Sequence, residues 1–197
     1  MSEQKPRILT ILGSTREGRF GDRVFSWFEG LVSQRSDLIA EFADLRDFDL
    51  PFFNQPKSAS SFSDDEKPQP WSETIGRNDG FVIISPEYNH APPAVLKNAL
   101  DWVYAEWKRK PVGFVGYGGV SGGARAIEQL RAITVELGLA PLTGGVVMQF
   151  ARKQFDEHGQ LRDPDFFNSS ANAMLDELVW WATTLKAGRE AAATVPA

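Results

Sequence analysis

Five short apolar runs recur along the chain, and a segment of helical period follows nearly every one of them. Arg7 to Leu12 (RILTIL), Asp37 to Leu45 (DLIAEFADL), Gly80 to Ser85 (GFVIIS), Pro111 to Tyr117 (PVGFVGY) and Gly144 to Phe150 (GGVVMQF) have the length and apolarity of buried strands. Val24, Phe25, Trp27, Phe28, Leu31 and Val32 recur at helical spacing and predict a helix over Gly21 to Gln34. Further helices are expected over Trp71 to Asn78, Ala94 to Tyr104, Gly123 to Leu137 and Phe166 to Ala187. Pro92 and Pro93 stand near the start of one of these, where proline is tolerated, and Gly138 ends another. Strands alternating with helices predict an α/β fold, a three-layer sandwich whose parallel sheet is covered on both faces. Five strands fit the doubly wound, flavodoxin-like order 2-1-3-4-5. A single domain over 1–187 is expected, with 188–197 as a frayed tail. Arg46 to Pro70, with Pro51, Pro56, Pro68 and Pro70, is expected as a surface loop or a flap; its Phe48, Leu50, Phe52 and Phe53 should pack against or cover something.

Composition removes several classes of function. The chain of 197 residues carries a net charge of −5, which argues against a nucleic-acid or anionic-membrane partner. There is no cysteine, so thiolate chemistry and disulfides are excluded. The two histidines, His90 and His158, are too distant in sequence to suggest a zinc site. The first residues, MSEQKPR, are polar, and a cytoplasmic location is the expectation.

In a sheet of this kind ligands bind beyond the carboxyl ends of the strands. Three loops expected at that edge are unusual. In the first, GSTREGRFG, Ser14 and Thr15 offer hydroxyls, Arg16 and Arg19 offer forked cations, and a helix N-terminus follows; together they suit an anion. Gly13 and Gly18 keep the G-x-x-x-x-G spacing of a P-loop, but Arg19 and Phe20 stand where Lys and Ser/Thr belong. A triphosphate site is therefore not expected, and the anion is a terminal monophosphate. The second loop, SPEYNHAPP, is stiffened by Pro86, Pro92 and Pro93 and offers Tyr88, Asn89 and His90 to one edge and face of a planar heterocycle. The third, GYGGVSGG, is glycine-rich enough for backbone N–H groups to approach a ring closely. A monophosphate at one end of a crevice and a flat polar ring at the other describe FMN.

The stretches GSTREGRFGDRV, SPEYNHAPPAVLKNALDW and GYGGVSGGARAIEQLR, in this order and spacing, resemble the NAD(P)H-dependent FMN reductase family, which includes quinone, azo-dye and chromate reductases of flavodoxin-like fold. The resemblance covers residues 6 to 150. It implies that Ser14, Arg16, Arg19, Phe20 and Gly21 occupy the phosphate-loop positions. It further implies that Pro86, Glu87, Tyr88 and Asn89 lie along the isoalloxazine, and that Tyr117, Gly118 and Gly119 touch its far edge. Many members have Ser-x-Asn where this chain has Arg19-Phe20-Gly21, and a subset carries Arg-x-Gly. The implied reaction passes hydride from NADPH or NADH to flavin and electrons on to a quinone, azo compound, flavin or similar acceptor, with ping-pong kinetics.

No acid–base side chain and no metal is required by that chemistry; Glu87 and His90 have ordinary structural explanations. The rival readings are a flavodoxin-like electron carrier without its own substrate, against which Arg16, Arg19 and the modest net charge speak, and a flavin-free interaction protein of the same fold. Trp102, Tyr104 and Trp107 cluster after the PEYN block, where a short chain can hardly bury them all; a homodimer or homotetramer is expected.

Overall fold

The structure is a computed structural model and describes residues 5–194. Five parallel strands form one sheet in the order β2-β1-β3-β4-β5. They are β1 (Arg7–Leu12), β2 (Ile39–Asp44), β3 (Gly80–Pro86), β4 (Pro111–Tyr117) and β5 (Ala140–Met148). The helices are α1 (Gly21–Val32), α2 (Gln69–Gly76), α3 (Ala94–Asp101), α4 (Ala124–Glu136), the short α5 (Ala151–Gln154) and the long α6 (Pro164–Ala193). This is the doubly wound order that the alternation of strands and helices predicts. The order reverses at β1, whose neighbours are β2 on one side and β3 on the other, so the crevice beyond the carboxyl ends of β1 and β3 is the natural binding place.

The two faces of the sheet are packed separately because strand side chains alternate. Ile8 and Leu12 of β1 and Val82 and Ile84 of β3 meet Val24 and Phe28 of α1 and Leu175 and Leu178 of α6. Leu9, Ile11, Phe81 and Ile83 meet Trp71 of α2, Leu96 and Leu100 of α3 and Leu130 of α4 on the other face. Val24, Phe28 and Val32 recur every four residues and bury one stripe of α1, which orients its N-terminus to the strand ends. Each such side chain contributes about 1.5–3 kcal/mol when fully buried.

Three departures from expectation have local causes. The last helix runs on to Ala193 instead of yielding to a tail at 188. Its N-terminus is capped by Asp163, with Pro164 in its first turn. Its far end is pinned where Arg189 donates to Asp79 (2.8 Å) and to the Arg109 carbonyl (2.7 Å) and Lys186 pairs with Asp79 (3.0 Å). Residues 195–197 lie outside the described residues. β5 begins at Ala140, earlier than the apolar run suggests, because Ala140 and Pro141 pair with Pro111 and Val112 before the register shifts. Finally, Trp102 and Trp107 are both buried within one chain: Trp102 donates to the Pro51 carbonyl (2.7 Å), and Trp107 packs on Phe81 at 4.8 Å between ring centroids. Those aromatics therefore do not need a partner subunit to cover them.

The 46–70 segment is a packed loop with three short 3-10 turns. Phe48, Phe53 and Phe62 pack on the α2–α3 core, while Phe52 is 74% exposed. Asn98 of α3 receives the Phe53 N–H (2.8 Å) and donates to the Pro51 carbonyl (2.9 Å), fixing the segment beside α3.

Candidate functional site

The first, second and third loops converge at the carboxyl edge around a cleft of about 360 Å³. Arg16, Gly18, Arg19 and Phe20 line one side; Pro86, Glu87 and Tyr88 line another; Tyr117, Gly118 and Gly119 a third. All of these except Gly18 belong to the set expected from sequence, so nine of the predicted residues meet at the cleft wall. Ser14, Gly21 and Asn89 stand behind or beside it.

The first loop is held rigidly. Gly13 N–H donates to the Ile84 carbonyl (2.9 Å), joining the end of β1 to β3. Ser14 is buried, and its hydroxyl shares a hydrogen bond of 2.9 Å with that of Tyr88, so the first and second loops are tied together. Arg46 donates to the carbonyls of Thr15 (3.3 Å) and Arg16 (2.5 Å) from outside. Arg19 does not face the cleft as a free cation. It is 7% exposed and its guanidinium is shared among Asp22, Asp44 and the Ser14 carbonyl. Burial works against its charge, but its hydrogen bonds to Asp44 and Asp22 outweigh burial and hold the group above its ordinary pKa.

With the carbonyls of this loop engaged, its N–H groups are left over. Helix α1 has no side-chain cap at Phe20. The N–H groups of Gly18, Phe20, Gly21 and Asp22 have no acceptor among the described residues. A helix N-terminus carries a partial positive charge, so these groups can receive an anion. Arg16, exposed on the cleft wall and without an ion pair among the described residues, adds to them. Gly21 belongs to this seat for a steric reason: a Cβ there would collide with the Tyr117 hydroxyl. That hydroxyl is buried and has no partner among the described residues. Burial, with a smaller push from Tyr88, raises its pKa.

The second loop turns at Asn89-His90, both with positive φ (49° and 72°), between a Tyr88–Ala91 pair joined by two backbone hydrogen bonds of 2.9 and 3.0 Å. This is the two-residue primed turn that Asn favours, and it gives His90 a conformational role. Glu87 is closed off from chemistry. Its carboxylate accepts from Ser121 (2.7 Å), the Arg125 N–H (3.2 Å) and the Arg125 guanidinium (2.5 Å). Burial opposes ionisation there, but these hydrogen bonds prevail and hold its pKa below the ordinary value. The third loop leaves the Gly119 N–H without an acceptor among the described residues, while the Gly118 and Gly119 carbonyls accept from Ala151 and Phe150 at 3.0 and 2.7 Å.

Those last contacts expose what the sequence reading missed. Phe150, Ala151, Arg152 and Lys153, the segment after β5, form the remaining wall. The signal was available: β5 also ends at the carboxyl edge, and a cationic pair follows it. Phe150 has φ 46°, a conformation unusual for a bulky residue. The cleft thus offers unsatisfied N–H donors and a cation at one end and, at the other, proline, tyrosine and glycine surfaces suited to a flat polar ring.

Comparison with known proteins gives a consistent result. The family model described as NADPH-dependent FMN reductase matches residues 6–153. An NAD(P)H-dependent FMN reductase of Schizosaccharomyces pombe is 37% identical over 131 residues, a match spanning 65% of this chain and 65% of that one. A quinone reductase of Escherichia coli strain K12 is 33% identical over 144 residues, covering 70% of this chain and 73% of its own. The fold matches that of a flavoenzyme NAD(P)H:(acceptor) oxidoreductase from Paracoccus denitrificans with a TM-score of 0.70 at 23% identity, over 91% of this chain and 98% of that one.

Proposed function

Because the chain belongs to the NADPH-dependent FMN reductase family, we propose that it binds FMN in this cleft and catalyses electron transfer from NAD(P)H to a quinone or a similar small acceptor by ping-pong kinetics. The observation that carries the reading is the uncapped N-terminus of α1 opening into the cleft beside Arg16.

FMN fits the residues present. Its phosphate matches the unsatisfied N–H groups of Gly18, Phe20 and Gly21 and the Arg16 guanidinium. The Tyr117 hydroxyl, buried without a partner beneath the same loop, is the kind of orphan that a bound polar ligand relieves. Pro86, Tyr88, Gly118 and Gly119 offer a surface for the ring, with the Gly119 N–H free to donate to it. When bound, FMN supplies two-electron chemistry at its N5.

The protein's own part is placement. Ser14 and Tyr88 keep phosphate loop and ring loop at a fixed spacing through their shared hydrogen bond. Arg19 acts as a positioning residue, since its donors are spent on Asp22, Asp44 and the Ser14 carbonyl. Glu87 locks the ring loop to α4. Among the described residues Glu87 is the only carboxylate lining the cleft, and it is engaged, so protons exchanged in the reaction would pass to or from solvent through the open mouth. Reductant and acceptor would use that one mouth in turn, which supports a ping-pong order.

The test is spectroscopic. The purified protein, loaded with FMN, is titrated anaerobically with NADPH and with NADH. Loss of the oxidised-flavin absorbance with no other protein present is the expected result. Retained absorbance with both donors would reject the reductase reading in favour of an electron carrier that needs a partner enzyme. Failure to take up FMN would reject both.

A further inference from the structure

Past Phe20 the cleft continues into a second cavity of about 310 Å³, bounded by Gly18, Arg19, Phe20, Arg23 and Arg152. The guanidinium carbons of Arg23 and Arg152 lie 5.9 and 5.3 Å from the Phe20 ring centroid, so one aromatic ring holds both cations. Arg23 donates to the Asp156 carbonyl (3.0 Å). Neither arginine forms an ion pair with a carboxylate among the described residues, and neither does the adjacent Lys153. Of the carboxylates in the same loops, Asp22 is engaged with Arg19 (2.7 Å) and Asp156, through Oδ1, with the Gln160 N–H (2.8 Å), while Glu17 and Glu157 are exposed and neither pairs with these arginines among the described residues. In a chain of net charge −5, three unpaired cations along one wall mark a place kept for an anion.

FMN has one phosphate, and the end of α1 with Arg16 accounts for it. A second anion must come from the other nucleotide of the reaction. NADPH and NADH share a pyrophosphate and differ only in the 2′-phosphate. That group is a terminal phosphomonoester of higher charge with three free oxygens, and it matches two guanidinium forks better than a pyrophosphate does. Arg19 is not available for it, being committed to Asp44 and Asp22.

We propose that Arg23 and Arg152, held over Phe20, bind the 2′-phosphate of NADPH and make this enzyme prefer NADPH to NADH. The proposal rests on the reductase reading above and names the donor that site selects. Two probes test it on the FMN-loaded protein by calorimetry: adenosine 2′,5′-bisphosphate and adenosine 5′-monophosphate. The bisphosphate is expected to bind at least about tenfold more tightly, the scale of one or two charge-assisted hydrogen bonds. Arg152→Gln, and separately Arg23→Gln, should remove most of that preference. Each should also lower the ratio of kcat/KM for NADPH to that for NADH by about tenfold, mainly through KM. Both side chains are exposed, so folding should be retained; an unchanged circular dichroism spectrum checks it. Equal binding of the two probes to the wild type overturns the proposal. So does an equal loss with both dinucleotides in the variants, which would assign the arginines to the shared pyrophosphate. A wild-type flavin that neither dinucleotide reduces rejects the reductase reading itself, and the proposal with it. A flavin reduced equally well by both, before and after Arg152→Gln, overturns the proposal alone.

Discussion

Helices α1 and α4 both begin at the carboxyl edge of the sheet, and they resolve the same electrostatic problem in opposite ways. Each presents N–H groups that its own backbone cannot satisfy, together with a partial positive charge. At α4 the chain answers with its own carboxylate: Glu87 accepts the Arg125 N–H, and Ser121 and the Arg125 side chain complete the seat. At α1 the first-turn acid, Asp22, is turned to Arg19, and the N–H groups of Gly21 and Asp22 have no acceptor among the described residues. A helix end filled by a side chain stabilises the fold at all times. One without such a side chain leaves its N–H groups available to hydrogen-bond a ligand. The contrast sets α4, closed by Glu87 of the cleft wall, apart from α1, whose first N–H groups have no acceptor among the described residues.

The sharpest way to break this contrast is at Arg19, which ties the loop before α1 to Asp22, Asp44 and the Ser14 carbonyl. Its side chain is 3% exposed, while Asp44 and Asp22 are 24% and 54% exposed. Arg19→Gln strands Asp44 and the Ser14 carbonyl. Loss of a buried partner is worth several kcal/mol, reduced here because both acids reach solvent; about 2 kcal/mol is expected. In a chain of this length that lowers the melting temperature by roughly 4–8 °C. FMN affinity should fall as well, since the loop loses its fixed shape. Calorimetric melting and FMN titration check the two parts. A large affinity loss with unchanged stability would mean that Arg19 contacts the ligand directly.

Glu87→Gln breaks the opposite end. The charge-assisted hydrogen bonds from Ser121 and Arg125 become neutral ones, at a cost of about 1–2 kcal/mol given that Arg125 is half exposed. A pH dependence identifies the charge as the cause. The folded pKa of Glu87 lies below its unfolded value of 4.5. Its contribution is therefore fully present above pH 4.5 and is lost as pH falls from there through the folded value. The stability difference between wild type and Glu87→Gln should shrink over that acid range. A difference constant with pH would show that shape, not charge, matters at α4.

These partnerships explain how far the sequence could be followed. Strands β1 and β4 end where their apolar runs end, and the alternation of strands and helices was enough to predict the sheet order. The three loops that line the cleft were recognisable as unusual because glycine, proline and hydroxyl residues cluster locally. What could not be foreseen was pairing over distance. Arg19 looked like an anion ligand because its partner Asp44 is 25 residues away and becomes a neighbour only when β2 pairs with β1. Glu87 and Arg125, 38 residues apart, meet only because β3 and β4 are adjacent. The Phe150 to Lys153 wall was overlooked because its run of residues looks like an ordinary polar connection after an edge strand.

Arg16 and Arg19 share the phosphate loop, and they should separate cleanly. Arg16 is exposed, has no carboxylate partner among the described residues and lines the cleft. Arg16→Ala should weaken FMN binding about tenfold, or about 1.4 kcal/mol, with stability of the flavin-free protein changed by less than about 0.5 kcal/mol. Unchanged FMN affinity would remove Arg16 from the seat.

Tyr88 offers the finest division between scaffold and binding. Its hydroxyl meets that of Ser14 at 2.9 Å, a link that holds the two loops at their spacing. Tyr88→Phe keeps the ring that faces the cleft and removes the link. Because the Ser14 hydroxyl still accepts the Arg16 N–H, if weakly at 3.4 Å, it is not stranded, and the stability cost should stay near 0.5–1 kcal/mol. FMN affinity should fall no more than about threefold, and less than in Arg16→Ala. The companion Ser14→Ala removes the same link from the other side, and the double variant should cost little more than either single one. Additive losses would mean that the two hydroxyls act on the ligand separately. Tyr88 would then belong to the seat at α1 and not to the frame around it.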